Sequence, residues 1–300
     1  MCGICGKVSF DQDGTVNPEL VAAMLGTIRH RGPDGEGIHV SPQVGLGHRR
    51  LAIIDLDAGA QPLSNEDGTV WITFNGEIYN YQELRADLLS RGHQFRTNSD
   101  TEVIVHLYED LGENCVEKLR GMFAFAIWDQ KARSLFLARD RVGIKPLYYH
   151  LDNRSLVFGS EIKAILADPE VSRAIAPEMI DRFLTFYYMP GEETLFRDIR
   201  KLDAGCCMTV QGGRIRIRRY WDLHFDPSPR SFRQASDELV SLLEESVDLH
   251  MISDVPVGFL LSGGVDSTAV LGFAAAKAQR PLSSFTLGFK AHGITDERPY

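Results

Sequence analysis

The sequence predicts two successive folds, a layered α+β domain and then the beginning of an α/β domain, and three observations carry that prediction. Up to about residue 221, runs of buried strands are separated from runs of amphipathic helix, which points to stacked layers rather than to regular alternation. Beyond residue 254, a fully apolar strand, a glycine loop and a helix follow one another directly. Between these regions "HFDPSPRSF" puts Pro227, Ser228, Pro229 and Ser231 where the periodic patterning lapses. The expected division is a first domain at 1–221, a linker at 222–231 and a second domain at 232–300.

Each element has a local reason. Residues 4–10 read as a strand. A helix opens at Asn17-Pro18, carries Leu20, Val21, Met24, Leu25 and Ile28 on one face and stops at Gly32. "TVWITFNGEIY" alternates Val70, Ile72 and Phe74 inward as a strand does. One helix then runs through Leu84, Leu88 and Leu89 to Gly92, and another through Val103, Ile104, Leu107 and Tyr108. "GMFAFAIWD", "SLFLARD" and "SLVFGS" read as buried strands joined by tight turns. After the linker, Leu239, Leu242, Leu243 and Val247 share a helix face. The strand "VPVGFLL", the loop "SGGVDS" and the helix "TAVLGFAAAKA" follow.

Composition removes several classes of function. Lysine plus arginine number 32 against 41 aspartate plus glutamate, a net charge of −9, and no basic block stands out, which argues against nucleic acid as the main partner. Hydrophobic residues at 44% and charged residues at 24% are ordinary for a globular protein. No apolar run approaches the roughly 18 residues a membrane span needs, and the N-terminus lacks a secretory pattern, so a cytoplasmic protein is expected. Five cysteines are too few and too scattered for a disulfide framework. The adjacent Cys206 and Cys207 read as buried packing.

Two motifs bear chemistry. "MCGICG" places Cys2 directly behind the initiator methionine, and three readings compete: a small apolar residue opening a strand, a CxxC pair with Cys5, or a nucleophile that carries its own α-amine once Met1 is removed. Zinc would require two further ligands at suitable spacing, and neither a second CxxC nor a paired histidine motif follows. Ser262, Gly263, Gly264, Val265, Asp266 and Ser267 lie between a buried strand and a helix start, where backbone N–H groups and the helix dipole suit an anion. Asp266 could hold a magnesium ion bridging phosphate oxygens. The loop is not a Walker motif, since GxxxxGK[ST] is missing.

"SGGVDS" after an apolar strand resembles the ATP pyrophosphatase family of N-type synthetases, and "MCGI", "HRGPD", "RRLAIID", "NGEIYN", "SDTE" and "RDRVGIKPLYY" resemble the class II glutamine amidotransferase domain. In this order, and over essentially the whole chain, the motifs are similar to those of bacterial-type glutamine-hydrolysing asparagine synthetases. The resemblance implies an αββα sandwich of the N-terminal-nucleophile amidohydrolase type, then the start of a doubly wound nucleotide-binding domain. It implies Cys2 as nucleophile, with the Asn75 amide and Gly76 N–H as oxyanion donors at a chain reversal. Arg50 would pair the glutamine α-carboxylate and Asp100 its α-ammonium, with Leu51, Ala52, Ile53, Ile54 and Glu77 completing the pocket. His30, Arg31 and Asp34 belong to a loop placed to close over glutamine; His48 and the other histidines read as structural.

ATP would occupy residues 262–267 with Leu261 and Leu287 flanking the base, Mg at Asp266, and would activate aspartate as an acyl adenylate. Ammonia would reach that site by an internal passage. The substrates are then glutamine, aspartate and ATP, with neither nucleic acid nor membrane as partner; a homodimer is compatible with this. The residues after Ser262 are too few for the rest of a doubly wound domain, so a fragment that hydrolyses glutamine without forming asparagine is expected. Two other readings stand beside this one: an amidotransferase serving a different carboxylate, and a non-catalytic remnant, against which the intact set Cys2, Arg50, Asn75, Gly76 and Asp100 argues. A reversible Cys2–Cys5 disulfide that silences the nucleophile is a further expectation to test.

Overall fold

The computed structural model describes residues 1–11 and 14–288; the expected helix approach at "ITDERPY" lies outside the described residues. The chain forms two compact units, Met1–Leu223 and a second that begins at His224.

In the first unit the strands and helices run β1 (Gly3–Ser9), α1 (Pro18–Thr27), β2 (Gly35–Ser41), β3 (Val44–Arg50), β4 (Leu63–Ser64), β5 (Val70–Ile78), α2 (Tyr81–Ser90), α3 (Asp100–Leu111), α4 (Cys115–Lys118), β6 (Gly121–Asp129), β7 (Ser134–Arg139), β8 (Tyr148–Leu151), β9 (Ser155–Gly159), α5 (Ile162–Ile165), α6 (Glu178–Phe186), β10 (Ile199–Lys201), β11 (Cys206–Gln211) and β12 (Arg214–Arg219). They build two six-stranded sheets, ordered β10-β8-β9-β1-β3-β2 and β12-β11-β7-β6-β5-β4.

Strand alternation sorts the core into three layers. Ile4, Val8, Leu46, Ala124, Leu137 and Phe158 pack between the sheets. Val70, Ile72 and Phe74 face the other way, onto Leu88, Val103, Ile104 and Leu107 of α2 and α3. Cys5, Met24, Leu25 and Ile28 lie under α1 and α5. The result is the expected αββα sandwich. Helix starts follow side-chain chemistry: Asn17 Oδ1 accepts from Glu19 N at 2.8 Å, and Ser99 Oγ from Thr101 N at 3.1 Å. Cys206 and Cys207 point to opposite faces of β11, each buried in a different layer.

In the second unit, Ser231 and Gln234 form a capping box at the start of α7 (Phe232–His250). β13 (Gly258–Leu260), α8 (Val265–Lys277) and β14 (Ser283–Phe285) then form a strand–helix–strand with β13 and β14 parallel. This is the start of a doubly wound α/β arrangement. Of the apolar face expected on α7, Val247 is buried, while Leu239 and Leu242 stay exposed. No helix among the described residues is long and apolar enough to cross a membrane.

Candidate active site

The site is built on the outer edge of β5. β4 is only two residues long, and its pairing with β5 ends at Leu63↔Ile72, so from Phe74 to Ile78 the edge has no neighbouring strand among the described residues. Side chains take the strand's place. Gln61 Oε1 accepts from Phe74 N at 2.7 Å, His48 Nε2 donates to Phe74 O at 3.0 Å, and Asp100 Oδ2 accepts from Ile78 N at 2.9 Å. Backbone groups alternate sides along a strand, so the Gly76 N–H falls between these two capped neighbours and faces a cavity of about 110 Å³. A Cβ on residue 76 would lie 2.2 Å from Met122 O, so only glycine fits.

Asn75 is buried, 1% exposed, and its Nδ2 has no hydrogen-bond partner among the described residues. A buried amide donor without an acceptor costs free energy unless a ligand supplies one. The expected chain reversal at Asn75-Gly76 is not found: both residues lie inside β5, and their exposure to the cavity comes from the short β4 rather than from a turn.

Cys2 stands at the mouth of the same cavity, just ahead of β1. Its Sγ accepts from Leu51 N at 3.3 Å and its carbonyl accepts from Arg31 Nε at 2.9 Å. Burial raises the thiol pKa, with Leu51 N–H and the terminal ammonium pulling it down; burial lowers the terminal amine, carried in the structure by Met1. Both shifts favour uncharged partners, a thiol beside a free amine. Cys5 lies on the opposite face of β1, buried with Met24 and Leu25, and burial drives its thiol pKa up. All five cysteines are free, and the strand's alternation gives a Cys2–Cys5 disulfide no support.

The remaining expected residues converge unevenly. Leu51, Ile53, Ile54, Glu77 and Asp100 line the cavity, whereas Ala52 contributes its N–H to Asp34 Oδ2 at 2.9 Å. Arg50 lines the cavity too, but its guanidinium donates to the carbonyls of Leu56, at 3.0 Å, Ile54, at 3.2 Å, and Asp55, so it also folds the loop around itself. His30 and Arg31 both meet Glu161 Oε1, at 2.8 and 3.1 Å. Burial, with Glu77 adding repulsion, raises the Asp100 carboxyl to about 7 against the Ile78 N–H, which lowers it. Burial holds His48 neutral, its pKa lowered to about 3, so it donates from Nε2.

Sequence reasoning passed over Gln61, Ser99, Thr101, Met122 and Lys145, all of which line the cavity. Lys145 is buried, 4% exposed, with Nζ 3.2 Å from Met1 Sδ. Asp140 presents it by accepting from Ile144 N and Lys145 N at 2.8 and 2.9 Å, around Gly143 at φ 72°. The signal was there in "RDRVGIKPLYY", which carried the resemblance but no residue role.

In the second unit, residues 262–267 close on themselves through serine hydroxyls: Ser262 Oγ and Ser267 Oγ are 3.1 Å apart, and Ser262 Oγ accepts from Gly264 N at 3.4 Å. Gly263 takes φ 75°. The loop is exposed and opens the 13-residue α8, with Asp266 in its first turn. Leu261 N donates to Phe285 O at 2.9 Å, and Leu287 lies just past β14, so both sit at the carboxyl ends of the paired strands, where α/β folds bind ligands.

The αββα sandwich thus brings Cys2, Asn75, Gly76 and Asp100 to one cavity. The chain belongs to the glutamine amidotransferase domain family, whose model matches residues 1–221; residues 238–300 match the asparagine synthase model. Asparagine synthetase [glutamine-hydrolyzing] 1 of Bacillus subtilis is 41% identical over 99% of this chain and 47% of its own length; its paralogue 3 is 37% identical over 97% and 48%. The chain thus spans about half the length of these curated relatives. The glutamine phosphoribosylpyrophosphate amidotransferase of B. subtilis shares the fold at TM-score 0.55 and 20% identity, over 95% of this chain and 65% of that one.

Proposed function

We propose that the first unit, residues 1–221, hydrolyses glutamine, and that residues 232–300 after a linker at 222–231 begin an ATP-dependent asparagine synthetase domain. One observation carries the reading: the Cys2 thiol, the unpartnered Asn75 Nδ2, the edge N–H of Gly76 and the Asp100 carboxylate meet in one cavity. With Met1 removed, the α-amine belongs to Cys2 and takes the thiol proton as Sγ attacks the side-chain amide carbon. The oxyanion accepts from Asn75 Nδ2 and Gly76 N–H. Collapse of the tetrahedral intermediate passes that proton to the departing nitrogen and releases ammonia; water then cleaves the thioester to glutamate. Asp100 holds the α-ammonium, and the Arg50 guanidinium takes the α-carboxylate by turning from its loop carbonyls.

Ammonia freed in this way would be delivered to ATP-activated aspartate, giving asparagine, AMP and pyrophosphate. Residues 262–267 suit the phosphates, since exposed N–H groups and hydroxyls surround a helix start. Asp266 fits Mg, which commonly binds through one or two carboxylates together with substrate phosphates. A cytoplasmic setting with small-molecule substrates follows. The decisive experiment pairs mass measurement of the mature N-terminus with a glutaminase assay: processed protein should begin at Cys2, and Cys2→Ala should lose on the order of 10⁴-fold or more in ammonia release. Full activity in Cys2→Ala, or in chains retaining Met1, would defeat the reading.

A further inference from the structure

Away from the Cys2 cavity, two histidines and two glutamates from three segments turn toward one point. Glu66 follows β4, His93 follows α2, and His106 and Glu109 stand one turn apart on α3. One ligand atom from each lies within 4.8 Å of the others. His106 Nδ1 is 2.9 Å from Glu109 Oε2 and 3.7 Å from Glu66 Oε2, and His93 Nδ1 is 3.9 Å from both Glu66 Oε1 and Glu109 Oε2. A tetrahedron of nitrogen and oxygen ligands around zinc has edges of about 3.3–3.6 Å, given ligand distances of about 2.0–2.2 Å. The close pairs lie on both sides of that length, from 2.9 to 3.9 Å, and the widest separation in the set stays within 4.8 Å.

We propose that Glu66, His93, His106 and Glu109 form a closed, structural site for one Zn²⁺ ion. What surrounds the four side chains argues for this beyond their proximity. His93 Nε2 is 3.0 Å from Asp110 Oδ1, so that imidazole has a carboxylate behind it; the Nε2 of the fully buried His106 stands 3.7 Å from Glu102 Oε1, near it but beyond hydrogen-bond distance. Glu109 Oε1 accepts from Asn65 Nδ2 at 2.7 Å, and Glu66 Oε1 from Gln94 N at 3.0 Å. Such outer partners fix tautomer and ligand orientation at metal centres. Two neutral imidazoles and two carboxylates carry a charge of about −2, which balances a dication. Glu66 and Glu109 are exposed and open a path to solvent. The site is independent of the glutamine chemistry: it would clip the turns at 65–69 and 92–96 to α3, the helix that begins at Asp100.

The rival arrangement is an ion-pair network around a protonated His106, and metal analysis separates the two. Tag-free full-length chain, stripped with chelator and re-exposed to Zn²⁺ alone, should retain one equivalent through gel filtration and recover a higher melting temperature. Co²⁺ in its place should give the visible bands of a tetrahedral centre. His93→Ala with Glu109→Gln should lose both signals, and Asp110→Asn should weaken binding by about 10–100-fold. Failure of the unmutated chain to retain stoichiometric Zn²⁺, or equal retention by the double variant, would overturn the proposal whatever the glutaminase rate.

Discussion

Each unit carries a candidate site with hydrogen-bond donors, but in opposite surroundings. In the first, the donors sit on a buried strand edge, with Asn75 1% exposed; in the second, the loop opens to solvent, with Leu260 81% and Val265 85% exposed. The contrast matches the charge each would meet under the proposed function. An oxyanion exists only during reaction, and preorganised donors stabilise it best where water is excluded. A phosphate arrives already charged, and a helix start with serine hydroxyls suits it without enclosure. Under the proposed function, enclosure marks the unit whose chemistry would create charge.

Mutations can break this comparison, beginning with the most severe. Gly76→Ala should cost at least about 3 kcal/mol, because its Cβ would overlap Met122 O and force β5 from β6. Chemical denaturation would read the loss, with glutamine hydrolysis undetectable; a stable, active variant would mean that the edge is not rigid.

Asn75→Ala should lower kcat by about 10²–10³-fold with no matching fall in melting temperature, since it removes an unspent donor. A melting temperature that fell in step with kcat would make Asn75 a packing residue instead.

Asp100 should impose an acid limb. Its carboxyl titrates at about 7, so the charged form that pairs an ammonium declines as pH falls through that value, and kcat/KM should drop by up to about tenfold per unit below it. Stability runs the other way: a carboxyl raised above its unfolded value of about 3.8 favours the folded state least at high pH, and this cost develops between about pH 4 and 7. Asp100→Asn should abolish the limb, raise the melting temperature at pH 8 and weaken glutamine binding by about ten- to a hundredfold. An unchanged pH profile in that variant would remove Asp100 from substrate binding. The smallest effect belongs to Asp266→Asn, which should leave glutamine hydrolysis unaltered in a coupled ammonia assay; a deficit would show that the two sites are not separable.

Much of the first fold was legible because period-two alternation survives in sequence. Val70, Ile72 and Phe74 announce both β5 and its buried face. Asn17-Pro18 marks a helix start by local hydrogen bonding. Cys2, Asn75 and Asp100 could be singled out because motifs mark them. Gln61 could not, since it reaches the cavity from a loop without periodicity; Lys145 lies within "RDRVGIKPLYY", but only the tertiary fold shows that it lines the cavity. The chain reversal that the resemblance implied at Asn75-Gly76 is absent because both residues lie within nine residues of continuous pairing with β6. His93 and His106 hid for the same reason, since the irregular spacing of 66, 93, 106 and 109 matches no metal motif.

The brevity of β4 has an evolutionary consequence. The cavity is the space a longer neighbour would have filled: in the Leu63↔Ile72 register, four more rungs would bring residue 59 opposite Gly76 and close the proposed reaction chamber while leaving a sound fold. Insertions around residues 60–64 are thus a cheap route by which descendants of this domain could shed chemistry and persist as scaffolds.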